Sequence, residues 1–261
     1  LGHGHFAFGD TAKASYDLIV SHTKTVADYL KMEYPTDLFI RQNHNVHDIL
    51  PVIRGLLAEM VGPDAPMPIF DMRNGADQIQ FMKRSDLDDL ATRGTASPDH
   101  VIRIKGRPLI LRKSVWSSGR QAIKEVLKNY AEEYKAMFDR QAPLAYQPKK
   151  ILPSDPKTRW MEGVGFIGLG SSVKAASIAG DLVVQHARVR AIGEDAGGFY
   201  PISEKDLFDC EYWSLEQAKL GKGVPPKFQG RVVMVTGGAG TIGLAVAKAL
   251  LNRVPLVFWW T

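Results

Sequence analysis

A chain of 261 residues holds one large or two ordinary domains and can bury a substantial core, and apolar residues at 45% with charged residues at 23% exclude large-scale disorder. The formal net charge of +5 is dispersed, with no block of five or more Lys/Arg, so it suits phosphorylated small molecules better than nucleic acid. The single cysteine, Cys210, excludes a disulfide framework and a cysteine-rich zinc site and points to a reducing compartment.

The opening residues, Leu1-Gly-His-Gly-His-Phe-Ala-Phe, read as a strand, Gly9 as a turn, and Asp10 or Thr11 as the cap of a helix. Tyr16, Ile19, Thr23, Val26 and Leu30 recur at steps of three and four, which gives that helix one packing face, and Pro35 marks its end. No basic start or apolar core precedes it, so no signal peptide is expected. His44, His47 and Asp48 form either a metal cluster or a polar loop capping a helix over 52–60. Two histidines constrain a site loosely, which favours the loop.

Residues 68–71 are a short strand and 76–90 carry helical spacing. The stretch 93–105 reads as a turn, containing Pro98-Asp99-His100, that enters a strand. Arg103 and Lys105 alternate on it as a solvated face with at most weak phosphate contacts. A strand over 109–111 and an amphipathic helix over 121–138 follow. Then comes an irregular connection over 142–157 holding Pro143, Pro148, Pro153 and Pro156. The Tyr146/Lys150 pair within it has catalytic spacing, but Pro148 breaks the helix such a pair needs.

An internal repeat appears next: residues 165–175 align with 4–14, matching Gly165 to Gly4, Gly170 to Gly9, Ser172 to Thr11 and Lys174 to Lys13. A helix over 175–192, a break over 194–198 and two helical pieces over 202–220, the first capped by Ser203, lead to a Gly/Pro linker over 221–229. Tyr212 and Trp213 read as packing residues.

The last segment carries the sharpest signal. Val232 to Val235 form a β-branched strand, a turn holds Thr236, Gly237, Gly238, Gly240, Thr241, Ile242 and Gly243, and Ile242, Val246, Ala249 and Leu250 share one helical face. Glycines there let the backbone turn sharply and approach a pyrophosphate, while the helix N-terminus points its N–H groups at that anion. The chemistry implied is dinucleotide binding, NAD or NADP. Residues 252–261 fit a second strand without an acidic residue for a ribose hydroxyl.

Thr236-Gly-Gly-Ala-Gly-Thr-Ile-Gly243 resembles the cofactor loop of short-chain dehydrogenases, with Thr241 where classical members carry glycine; its spacing is closer to the extended branch. His3-Gly4, Phe6, Gly9-Asp-Thr-Ala12 and Ser15-Tyr16 resemble the closing motif of class II aldolase/adducin domains. That resemblance implies zinc bound by His3, with His5 at a usually apolar position. The residues alone read equally as solvent-facing terminal histidines. In the repeat Val164 replaces His3, so the second copy carries no ligand.

Nearly the whole chain resembles the bifunctional rhamnulose-1-phosphate aldolase/short-chain alcohol dehydrogenase family. The resemblance implies an α/β fold: a layered aldolase class II/adducin-like lobe over 1–220 with an internal strand-turn-helix repeat, a linker over 221–229, and the first strand-loop-helix of a Rossmann domain over 230–261. It further implies zinc-assisted cleavage of a ketose 1-phosphate, NAD(P)-dependent oxidation of the aldehyde, a cytoplasmic location, no nucleic-acid or membrane partner, and a homo-oligomer. The chain is then expected to be a fragment with both ends of the machinery cut and its catalytic residues unassigned. The competing expectation is a non-catalytic module that binds a nucleotide or a protein partner.

Overall fold

The computed structural model describes residues 6–31, 46–62, 65–220, 228–251 and 256–260. His3, His5, Pro35, His44 and the linker residues 221–227 lie outside them. The first helix, α1 (Ala12–Tyr29), is capped by Thr11, whose side chain accepts from the Ala14 N–H, and it buries none of its residues. Residues 6–8, the described part of the expected opening strand, form no strand. α2 (Val46–Val61) begins earlier than its sequence suggests and takes His47 and Asp48 into its first turn, both exposed, with Pro51 inside the helix. Its buried stripe is Ile53, Leu56 and Leu57.

Strand β1 (Ile69–Arg73) leads to two short helices, α3 (Ala76–Phe81) and α4 (Leu87–Thr92), where the spacing over 76–90 reads as one. The stretch expected to enter a strand is instead α5 (Pro98–Ile104). The strand-like alternation of Val101-Ile-Arg-Ile104 is overridden because Ser97 and Pro98 supply a helix start, with proline in the first turn where its missing N–H is harmless.

β2 (Leu109–Leu111), the short α6 (Lys113–Ser117) and the long α7 (Arg120–Gln141) follow, and α7 buries Ile123, Leu127 and Tyr134. After one 3-10 turn (Ala142–Leu144) and the proline-rich connection come β3 (Thr158–Met161), buried along its whole length, and β4 (Gly165–Gly170). α8 (Val173–Asp195), α9 (Glu204–Glu211) and α10 (Ser214–Ala218) complete this part.

The four strands form one small mixed sheet in the order β1-β4-β3-β2, antiparallel except for the parallel β2–β3 pair. Helices cover both faces. On one, α2 and α7 bury Leu57, Ile123 and Leu127 against Leu111, Met161 and Ile167. On the other, α3, α4 and α8 bury Phe81, Leu87, Val183 and Ala187 against Trp160 and Phe166. At about 25 cal/mol per Å² of apolar surface removed from water, these two layers supply the main driving force for the lobe.

The β4–α8 unit is held by backbone contact. A Cβ on Gly168 would strike the Gly180 nitrogen, and one on Gly170 the Ala176 nitrogen, so helix and strand approach as only glycine permits. The two aligned stretches share a cap and a close glycine contact, though the first has no strand among its described residues. Ser172 caps α8 by accepting from the Ala175 N–H at 3.1 Å, as Thr11 caps α1 by accepting from Ala14 at 3.1 Å, and both caps are extended. A Cβ on Gly9 would likewise strike Ser15 and Ala14, the counterparts of Ala176 and Ala175.

The last elements form a separate two-stranded parallel sheet: β5 (Val232–Thr236), α11 (Thr241–Leu251) and β6 (Leu256–Trp260), with Val232 paired to Leu256 and Thr236 to Trp260. Arg54 of α2 reaches this end of the chain, donating to the carbonyls of Pro68 and Gly230 at 2.7 and 2.6 Å. Among the described residues, no helix is long and apolar enough to cross a membrane.

Candidate functional site

The glycine turn joins β5 to α11, and its glycines are glycine for different reasons. Gly237 has φ +64, a left-handed conformation that a side chain strains, and open space around the site of a Cβ. At Gly243 a Cβ would land on the Gly237 carbonyl, so this glycine lets the first turn of α11 pack on the loop. Gly240 differs from both. Its φ is not left-handed, and an added Cβ would meet one atom, the Gly237 oxygen, at 3.3 Å, a contact that a shift of a few tenths of an ångström relieves. The fold itself barely requires glycine there.

Gly240 N–H donates to the Gly237 carbonyl at 3.0 Å and closes the turn. The Leu244 N–H donates to the Gly240 carbonyl at 2.8 Å, so the N–H groups of Thr241, Ile242 and Gly243 precede that bond and head the helix. Thr236, Gly237, Gly240, Thr241 and Ile242 are exposed, Ile242 at 82%, while Gly238 is buried. An anion at this end of α11 would meet both free N–H groups and the positive end of the helix dipole.

A cavity of about 980 Å³ opens at the N-terminus of α8, lined by Ser171, Ser172 and Lys174 together with Arg103, Lys150 and Lys157. Asp155 is the one carboxylate in its lining, and it bonds Lys157 at 2.7 Å. Lys150 therefore lies in a basic cavity wall, whereas Tyr146, its partner in the sequence pair, is 99% exposed.

His100 is neither on a turn nor accessible. It is buried in α5 with its ring 4.7 Å from that of His186 on α8, and Ser97 Oγ lies 2.6 Å from its Nδ1. Burial lowers the pKa of both histidines, and the positive charge of Arg190 adds to the effect. Among the described residues, no group of three or more His, Cys, Asp or Glu side chains is arranged to hold a metal. His47 and Asp48 stand without such a cluster, and His3 lies outside the described residues.

One charged cluster has no signal in the sequence. Lys105, expected on a solvated strand face, ends α5 with φ +65 and is buried beside Glu211, the last residue of α9. The alternation of Val101 to Lys105 hides it, because a residue that closes a helix does not follow the strand's in-and-out rule.

Residues 44–220 match the family described as aldolase class II, second domain, which is more than half of the chain. The chain belongs to that family. A protein of Bacillus subtilis (strain 168) named uncharacterized oxidoreductase YuxG is 26% identical over 268 residues, covering 94% of this chain. The chain spans 37% of that relative's length. No solved structure matches it. The second-domain match covers β1 to β4 and α2 to α10 and stops before the β5–α11–β6 unit, while the similarity to the oxidoreductase extends over almost the whole chain.

Proposed function

We propose that this chain is part of a sugar-metabolising aldolase/oxidoreductase in which the class II aldolase domain is followed by an NAD- or NADP-binding element. The observation that carries the reading is Gly240. Gly237 answers to backbone conformation and Gly243 to packing, but Gly240 has little intramolecular reason to be glycine. Close approach of a pyrophosphate supplies one. The parallel pairing of β5 with β6 across α11 suits the same reading, as does the oxidoreductase name of the Bacillus subtilis relative.

In this reading Thr236, Gly237, Gly238, Gly240, Thr241, Ile242 and Gly243 hold the cofactor, with the N–H groups at the head of α11 directed at its phosphates. The nicotinamide, when bound, would accept the hydride of an aldehyde's hydrate, which loses a hydroxyl proton as the carboxylic acid forms. The basic cavity at the α8 N-terminus suits the phosphate of a phosphorylated sugar, which Lys174 and the Ser171–Ser172 backbone would orient. The described residues offer no cluster of three or more His, Cys, Asp or Glu side chains for zinc. Calorimetric titration of the protein with NAD and with NADP tests the proposal: saturable binding of either supports it, and heats indistinguishable from dilution for both refute it.

A further inference from the structure

α1 buries none of its 18 residues and so leaves a long apolar surface in water. Leu18, Ile19, Val26 and Tyr29 are exposed, and Phe6 and Phe8, just ahead of the helix, are exposed at 70% and 86%. The charges avoid that surface. Lys13, Asp17, Lys24 and Asp28 are the Lys and Asp residues of the helix, and at about 100° per residue they fall within about 60° of arc, opposite the stripe of Leu18, Ile19, Val26 and Tyr29. Ser15, His22 and Thr25 lie along the stripe. The hydroxyls of Ser15 and Thr25 are bonded inside the chain, donating to the carbonyls of Ala7 at 2.7 Å and Ser21 at 3.0 Å. A helix of this length is marginal in water on propensity alone and gains its stability by covering its apolar stripe.

α8 marks the same face independently. Continued without a gap beyond Lys13 and Lys174, the alignment carries Ala176, Ala179, Gly180, Val183, Ala187 and Arg190, all buried on α8, onto Ser15, Leu18, Ile19, His22, Val26 and Tyr29. The difference in side-chain size bears on the partner. Ala179 and Gly180 let α8 touch the backbone of β4, whereas Leu18 and Ile19 hold a neighbour away, at the roughly 8–10 Å between the axes of packed helices. That spacing fits a helix, and α1 is complementary to itself. Its small residues, Ala12 and Ser15, stand at its start and the bulkier Val26 and Tyr29 at its end. Two copies laid antiparallel set the narrow end against the wide end, bring Phe8 towards Tyr29 of the second copy, and oppose the two helix dipoles. A parallel pair would crowd Tyr29 on Tyr29 and leave a gap at Ser15. With Lys13, Asp17, Lys24 and Asp28 on the far side, no like charges meet in the antiparallel pair.

We propose that α1 is the interface of a homodimer in which two copies of this chain pair their α1 helices antiparallel about a two-fold axis, with Leu18, Ile19 and Val26 of each copy packed on the other. The interface is independent of the dinucleotide and phosphate readings and stands or falls separately. A helix of this length is about 27 Å long and about 10 Å across, so two of them, with Phe6 and Phe8, cover roughly 1,000 Å² in total, the lower end of a specific interface. Such an area gives a dimer that forms in the micromolar range.

The test is sedimentation velocity of the full chain from about 1 μM to about 200 μM, with the melting temperature measured alongside. A reversible monomer–dimer equilibrium is expected. Ile19→Glu places an unpaired charge in each half of the interface and should weaken the dimer about a hundredfold or more. Ser21→Glu adds the same charge on the opposite, exposed face of α1 and should leave the dimer unchanged. Both variants should keep the melting temperature of the monomer, because α1 buries no residue within its own chain. A chain that stays monomeric throughout, as it would if some other polypeptide covers α1, overturns the proposal. So does a dimer that survives Ile19→Glu or is lost equally in Ser21→Glu, open-ended association beyond the dimer, or a melting temperature that falls in Ile19→Glu alone.

Discussion

Arg190 Nε donates to His186 Nε2 at 3.0 Å, one turn apart on α8, so a buried guanidinium is held by a neutral imidazole. The rest of the guanidinium is met by carbonyl oxygens, those of Leu90 at 2.5 Å, Arg93 at 2.7 Å and Gly94 at 2.6 Å, and its central carbon lies over the Trp160 ring. Burial lowers its pKa to about 9. The arrangement ties α8 to the end of α4 and the loop before α5, and it works only while His186 accepts.

Acid should therefore loosen the lobe. The folded-state pKa values of His186 and His100 lie below the ordinary 6.5, mainly through burial, so the unfolded chain binds protons first as pH falls. Their stabilising contribution is complete above about pH 6.5 and is lost below it, at up to about 1.4 kcal/mol per pH unit for each histidine. Urea midpoints measured from about pH 8 to about pH 5 should fall across that window. His186→Gln, which keeps an acceptor but cannot titrate, should flatten the fall.

Arg190→Met removes the donors from the carbonyls of Leu90, Arg93, Gly94 and Gly106 and from His186 at once. A loss of about 3–5 kcal/mol is expected from these buried, charge-assisted bonds. Arg190→Lys should recover little of it, because an ammonium cannot reach the same spread of acceptors. Equilibrium denaturation of the two variants beside the unaltered protein checks both statements.

The two aligned glycine positions should respond unequally to the same change. Gly170→Ala drives a methyl into the Ala176 backbone of a helix packed on the sheet and should cost about 2–3 kcal/mol. Gly9→Ala makes the same local collision beneath α1, which buries none of its residues, and should cost less than about 1 kcal/mol. Thermal melts of the two variants side by side would reveal the difference.

Much of the fold is legible in the sequence where local chemistry and tertiary packing agree. Thr11, Ser172 and Ser203 cap the helices that begin beside them, and the apolar stripes of α2 and α7 face the core. β3 carries no strand signal because it is buried on both faces and so does not alternate, and because Arg159 within it, though fully buried, reads as solvent-exposed. α5 looks like a strand because Val101-Ile-Arg-Ile alternates, yet the Ser97-Pro98 start signal outweighs that short alternation. The same ambiguity conceals the Lys105–Glu211 pair, since Glu211 comes from α9, far along the chain. The glycine turn, by contrast, depends on consecutive residues and can be read directly.

In the function proposed above, Gly240 is glycine for a ligand and not for the fold. NAD and NADP affinity, measured together with melting temperature for Gly240→Ala, tests this. Binding should weaken by about tenfold or more while the melting temperature stays within about a degree or two of the unaltered protein, as expected for a methyl with little steric conflict inside the chain. Retained affinity, or loss of affinity only in step with a fall in stability, would contradict it.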